Sequence, residues 1–131
     1  MSARTSISKK NKYWISKHRY LELRHFCLQY PEWKSQLRDA AWCQGETGGD
    51  RQWADPTCKS LYACEELISK IRMVERCAML ADDQIGEWIL KAVTEDLSFV
   101  TLSMVYEIPC GKDMYYDRYR RFFWLLSRNP Q

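Results

Sequence analysis

Little in this chain breaks a helix. Five glycines and four prolines are spread over 131 residues. No segment alternates apolar and polar residues between turn-forming dipeptides, which argues against a sheet. No apolar run approaches the ~18 residues of a membrane span. The N-terminus, MSARTSISKKNKYW, is basic but lacks the apolar stretch of a secretory signal. These absences predict a soluble chain that stays in the cytoplasm where it is made. Material for an active site is scarce too. His18 and His25 are the only histidines, and on a helix they fall nearly two turns apart, a poor spacing for one shared metal. The adjacent carboxylates Glu65/Glu66, Asp82/Asp83 and Glu95/Asp96 point about 100° apart on a helix and do not converge. The glycine-containing stretch CQGETGGDRQWADP (43–56) lacks the GK[ST] end of a phosphate loop and follows a helix rather than a strand, so it is expected to be a plain connector. No enzymatic activity, cofactor or metal is expected.

Six cysteines are present (Cys27, Cys43, Cys58, Cys64, Cys77, Cys110), with no C-x-x-C pair among them. In a chain without a secretory signal they are expected to be reduced structural thiols rather than zinc ligands or a disulfide framework. The composition is 46% hydrophobic and 14% aromatic, enough for one folded core at this length. The net charge of +3 is unevenly distributed. Residues 1–38 hold nine basic side chains against Glu22 and Glu32; residues 39–111 hold six basic against thirteen acidic; residues 112–131 hold five basic against Asp113 and Asp117. The ends are basic and the middle is acidic. If the two ends meet, they form a footprint for a polyanion; otherwise the charges only solubilise.

Hydrophobic spacing gives the helices. Tyr20, Leu23, Cys27 and Tyr30 recur at three, four and three residues, which predicts a helix from about Ser16, its N-cap, to Tyr30. Pro31 bends or stops it, and a short helix, PEWKSQLRDAAW, follows. A long helix is expected after Asp55 as cap and Pro56 at its first position, with Leu61, Cys64, Leu67 or Ile68, Ile71, Val74 or Glu75, and Ala78 on one apolar face. That face is either core or a homodimer seam. Three further helices are expected: one from Asp83, one from Phe99 to Tyr106 capped by Ser98, and one from near Asp113 to about Ser127. The fold class is all-α, a helical bundle with a C-terminal helix-turn-helix: a basic arm over 1–12, a helical region over 13–82 and the helix-turn-helix over 83–131.

The last helix, KDMYYDRYRRFFWLLS, carries the strongest signal. At 100° per residue, Tyr115, Tyr119, Phe122 and Leu126 fall within about 40° of one line and form a buried stripe. Tyr116, Asp117, Arg120, Arg121 and Trp124 lie away from it and Arg118 at its border, so the expected outer face is aromatic and basic. A short helix, a tight turn holding Pro109 and Gly111, then a basic helix is the order of a helix-turn-helix DNA reader. The bland alternative is that the arginines are solvated charges near a helix C-terminus, where the dipole favours cations.

The segment LSFVTLSMVYEIPCGKDMYYDRYRRFFWLL resembles the helix-turn-helix of phage late-gene regulators of the ArpU/RinA type, themselves similar to the sigma-factor domain that reads an upstream promoter element. Ser98, Ile108, Pro109 and Gly111 carry the likeness; Asp113 and the brace sequence TLSM depart from it. The front half, KYWISKHRYLELRHFCLQYPEWK, is similar to short prophage proteins of Gram-positive bacteria. The resemblance implies a DNA-binding transcriptional regulator acting on double-stranded DNA in the cytoplasm of a bacterial host. Lys112, Tyr116, Asp117, Arg118, Arg120 and Arg121 are then the candidate contacts of the last helix. Lys9, Lys10, Lys12, Lys17 and Arg19 add phosphate contacts from the basic front end. The acidic middle, with Trp42, Trp53 and Trp124 expected to lean toward solvent, supports a second expectation. This is a phage protein that binds a host protein, either inhibiting a host defence nuclease in the manner of an anti-CRISPR or modifying host RNA polymerase.

Overall fold

A computed structural model describes residues 11–47 and 54–129, with side chains described for 11–40 and 63–129. The described residues form six helices and no strand: α1 (Lys17–Leu28), α2 (Tyr30–Thr47), α3 (Ala54–Ala81), α4 (Gly86–Glu95), α5 (Phe99–Tyr106) and α6 (Lys112–Ser127). The protein is an all-α helical bundle.

Ser16 caps α1 from an extended conformation, its Oγ accepting the Arg19 N–H at 3.2 Å. The stripe Tyr20, Leu23, Cys27 and Tyr30 is buried along its whole length. Helix α2 starts one residue beyond Gln29, with Pro31 in the first turn, where a missing N–H leaves no bond unmade. It runs on through Cys43 to Thr47, five residues into the stretch expected to be a connector. A single glycine, Gly45, costs only about 1 kcal/mol against alanine inside a helix, and its neighbours Gln44 and Glu46 are good helix formers. The rest of the expected connector, 48–53, lies outside the described residues. Helix α3 begins at Ala54, so Asp55 is not the cap but a first-turn residue, and Pro56 follows it. Of its expected face, Ile71, Val74 and Ala78 are buried and Cys64, Leu67 and Ile68 half-buried; Leu61 lies outside the described side chains.

Asp82, rather than Asp83, organises the turn into α4. Its Oδ1 accepts the N–H groups of Gln84 (2.7 Å) and Ile85 (3.1 Å), and the helix proper begins only at Gly86. The backbones are close there. A Cβ on Gly86 would sit 2.6 Å from Met79 Sδ and 2.8 Å from the Ala78 carbonyl oxygen. Helix α4 ends in left-handed Asp96 (φ 59°), with the Leu97 N–H bonded back to the Ala92 carbonyl. Ser98 caps α5, accepting the Thr101 N–H, and left-handed Glu107 ends it, as placed from the sequence.

One buried cluster joins α1 to α6. Leu23, Cys27, Val74, Cys77, Ile85, Ile89, Leu102, Tyr115, Phe122 and Leu126 all belong to it, so it runs across the α3–α4 turn. Helix α6 packs chiefly along α3 and also touches α1 and α4, while α5 rests on α4. That enclosure corrects the expected stripe of α6. Phe123 is buried along with Tyr115, Phe122 and Leu126, because α1 closes the helix from a second side: the Tyr20 and Phe123 rings meet edge-on at 5.0 Å. Tyr119 is half-buried, its hydroxyl 2.9 Å from that of Tyr20. No helix of the described residues is long and apolar enough to cross a membrane.

Candidate nucleic-acid interface

The outer face of α6 is half-covered rather than open. Tyr116, Asp117, Arg118, Arg120, Arg121 and Trp124 are all half-buried, and only Lys112, Asp113 and Met114 of the first turn are exposed. Two neighbours account for this. Tyr116 leans into the aromatic group formed by Phe99, Tyr115 and Tyr119, with ring centroids 5.0–6.3 Å away. Trp124 is covered by the chain entering α1, the Tyr13 ring lying 5.6 Å from it.

The arginines of α6 have separate fates. Arg118 Nε donates to Asp82 Oδ2 at 2.8 Å, and its Nη1 donates to Asp117. The Asp82 side chain is only 10% exposed, so this pair ties the middle of α6 to the α3–α4 turn. The Asp82 bond, against some burial, raises the guanidinium's affinity for its proton further. Arg118 is thus held between two carboxylates, a group of net negative charge, which takes Arg118 and Asp117 out of the set offered to an anionic ligand. Arg120 and Arg121 differ. Among the described residues neither makes a hydrogen bond or an ion pair, and the Nε of Arg120 is buried without a partner. With 100° per residue, Arg120, Arg121 and Arg128 fall within about 60° of Trp124 on the wheel. They share one face.

The basic front end reaches that face. Lys12 Nζ lies 5.1 Å from the Tyr13 ring centroid, Tyr13 packs on Trp124, and Arg128 Cζ lies 4.7 Å over Trp124. A pair of packed rings is therefore flanked by two cations across the join of the two chain ends. Arg19 closes it from α1, its Nη2 donating to the Ser127 carbonyl at 3.4 Å while Nη1 pairs with Glu22 at 3.2 Å. Lys17 is exposed at the start of α1. Lys9 and Lys10 lie outside the described residues, as do the side chains of Trp42 and Trp53. Of the residues picked from the sequence, Lys12 reaches Trp124 through Tyr13, Arg19 bonds the Ser127 carbonyl, Arg120 and Arg121 share the helix face of Trp124, and Lys112 stands apart at the far end of α6. Sequence reasoning missed Tyr13, Asp82 and Arg128. Asp82 had a local signal, an aspartate two residues before a turn N–H it can accept; the other two are defined by a contact between opposite chain ends.

The face can hold anions through arginine and lysine and present ring surfaces. No group of three His, Cys, Asp or Glu among the described residues is placed to hold a metal ion. His18 and His25 are exposed, and Cys27 and Cys77 are buried. No family model, no curated protein and no solved structure matches the chain.

Proposed function

We propose that the protein is a phage-type DNA-binding regulator of the bacterial cytoplasm, in which α4, α5 and α6 act as a helix-turn-helix and the outer face of α6 grips duplex DNA. One observation carries the proposal: Arg120 and Arg121 share a face with Arg128, lack any acidic partner among the described residues, and are joined there by Lys12 through Tyr13 and Trp124. Unpaired guanidinium groups on one helix face suit bidentate contact with phosphate or guanine. The first turn of α6 carries Asp113 beside Lys112, so phosphate grip outweighs base reading in this arrangement. The likeness of the segment Leu97 to Leu126 to the ArpU/RinA-type regulators supports the same reading. The test compares wild type with Arg120→Ala/Arg121→Ala for binding of a labelled short duplex at low salt, with circular dichroism to check folding. At least tenfold weaker binding by the folded variant is expected; equal affinity refutes the proposal.

A second reading rests on α5. Its outer side exposes Val100 (62%), Met104 (77%) and Val105 (62%) with no charged residue between Phe99 and Tyr106. Such a surface favours a protein partner over a polyanion, which fits a phage factor directed at a host defence nuclease or host RNA polymerase. Capture of one stoichiometric protein from a nuclease-treated host lysate, without duplex affinity, selects this reading over the first.

A further inference from the structure

A cavity of about 140 Å³ lies along the N-terminal half of α6, between it, α1, the α4–α5 link and the start of α5, with Tyr116 at the edge of the outer face in its wall. Its apolar walls are Phe99, Tyr115 and Tyr116, and its polar rim is Arg24, Asp96 and Ser98. Three features give it a chemical preference. First, the N-terminus of α5 opens on it through Ser98 and Phe99. Ser98 Oγ accepts the Thr101 N–H, but the N–H groups of Phe99 and Val100 have no acceptor within the helix, and the dipole there favours negative charge. Second, Arg24 gives only Nη2 to Asp96; among the described residues its other guanidinium nitrogens have no partner. The Asp96 carboxylate is 60% exposed, so water screens it while the guanidinium stays at the rim. Third, Tyr115 lines the cavity and makes no hydrogen bond to another described residue, and its hydroxyl is not among the sealed-in polar atoms, so it faces the cavity space. A ligand oxygen in the cavity can accept a hydrogen bond from that hydroxyl.

We propose that this cavity binds a small monocyclic aromatic carboxylate, its ring between Phe99, Tyr115 and Tyr116 and its carboxylate at the α5 N-terminus within reach of Arg24 and the Tyr115 hydroxyl. The size fits, since an enclosed space of about 150 Å³ holds a benzene ring. The inference does not rest on the DNA proposal, but Phe99, Tyr115 and Tyr116 of the wall lie on α5 or α6 and Ser98 caps α5, so occupancy sets how those helices meet.

Benzoate is the probe, titrated into the ¹⁵N-labelled protein and followed by amide shifts, beside its neutral isostere benzamide and the ringless anion acetate. Saturable benzoate shifts centred on Ser98, Phe99 and Tyr116 are expected, with benzamide and acetate each at least about tenfold weaker. Tyr115→Phe is expected to bind benzoate about tenfold more weakly, the loss of one charge-assisted hydrogen bond. Without ligand it should be no less stable than wild type, because the group removed has no partner to lose. Arg24→Met is expected to weaken benzoate in the same sense. The proposal is overturned if benzoate gives no saturable shift, if benzamide binds as tightly, if Tyr115→Phe leaves benzoate affinity unchanged, or if Tyr115→Phe lowers stability on its own.

Discussion

Replacing Asp82 with alanine removes three interactions that meet on one carboxylate. Oδ1 loses the Gln84 and Ile85 N–H groups, and Oδ2 loses Arg118 Nε at 2.8 Å. Loss of a capping carboxylate typically costs about 1 kcal/mol. A hydrogen bond between charged groups is worth about 1.5–3 kcal/mol; the lower end applies, since Arg118 keeps Asp117 and is itself 32% exposed. The sum is about 2.5 kcal/mol, or about 10 °C in Tm for a domain of this size. Urea unfolding followed by circular dichroism at neutral pH measures it. The pH dependence supplies a second check. Burial opposes the charge on Asp82, but Arg118 and the two backbone N–H groups outweigh it and hold the carboxyl below its ordinary value. The folded state then binds fewer protons than the unfolded state. The contribution is therefore full above the usual carboxylate pKa near ~3.9 and fades as pH falls through the lower folded value. An Asp82→Ala variant within about 0.5 kcal/mol of wild type at neutral pH refutes the assignment, as does a difference that persists undiminished into strong acid.

Gly86→Ala forces a methyl group to within 2.8 Å of a backbone oxygen as well as 2.6 Å of the Met79 sulfur. It is expected to destabilise by about 1–3 kcal/mol, and Met79→Ala does not rescue it because the Ala78 carbonyl stays in place; full rescue in urea unfolding contradicts this. Among the thiols with described side chains, Cys64 should alkylate in the native protein well before Cys27 and Cys77. Burial pushes both buried thiols up, Cys77 to about 11, with the neighbouring Cys77 adding to the effect on Cys27, so little thiolate forms at neutral pH. Peptide mapping after timed alkylation checks the order, and equal labelling of Cys27 and Cys64 contradicts it.

What was legible in the sequence was local. Ser16 and Ser98 announce their helices because a cap needs only a side chain and a backbone N–H three residues on. The stripe Tyr20, Leu23, Cys27, Tyr30 and the bounds of α5 follow from spacing and turn chemistry alone. What was not legible depends on neighbours far along the chain. A single helical wheel for α6 assumes one packed side, whereas the helix is enclosed by α3 and α1 together, so Phe123 is buried and the outer face half-covered. Arg118 reads as a cation at the border of the outer face until Asp82, 36 residues earlier, is seen beside it. Tyr13 and Trp124 carry no mutual signal, yet their contact brings the two basic chain ends together. The α2 boundary was missed for a different reason: Gly45 weakens a helix without ending it.

The central claim is that a cluster of unpaired cations on the outer face of α6 grips the phosphates of duplex DNA. The salt dependence of duplex binding tests it most directly. If Lys12, Lys17, Arg120, Arg121 and Arg128 each displace a counterion, log K falls against log salt with a slope of about −4 to −5, and Arg120→Ala/Arg121→Ala flattens it by about 2. A slope near zero, or one that the double substitution leaves unchanged, contradicts the account.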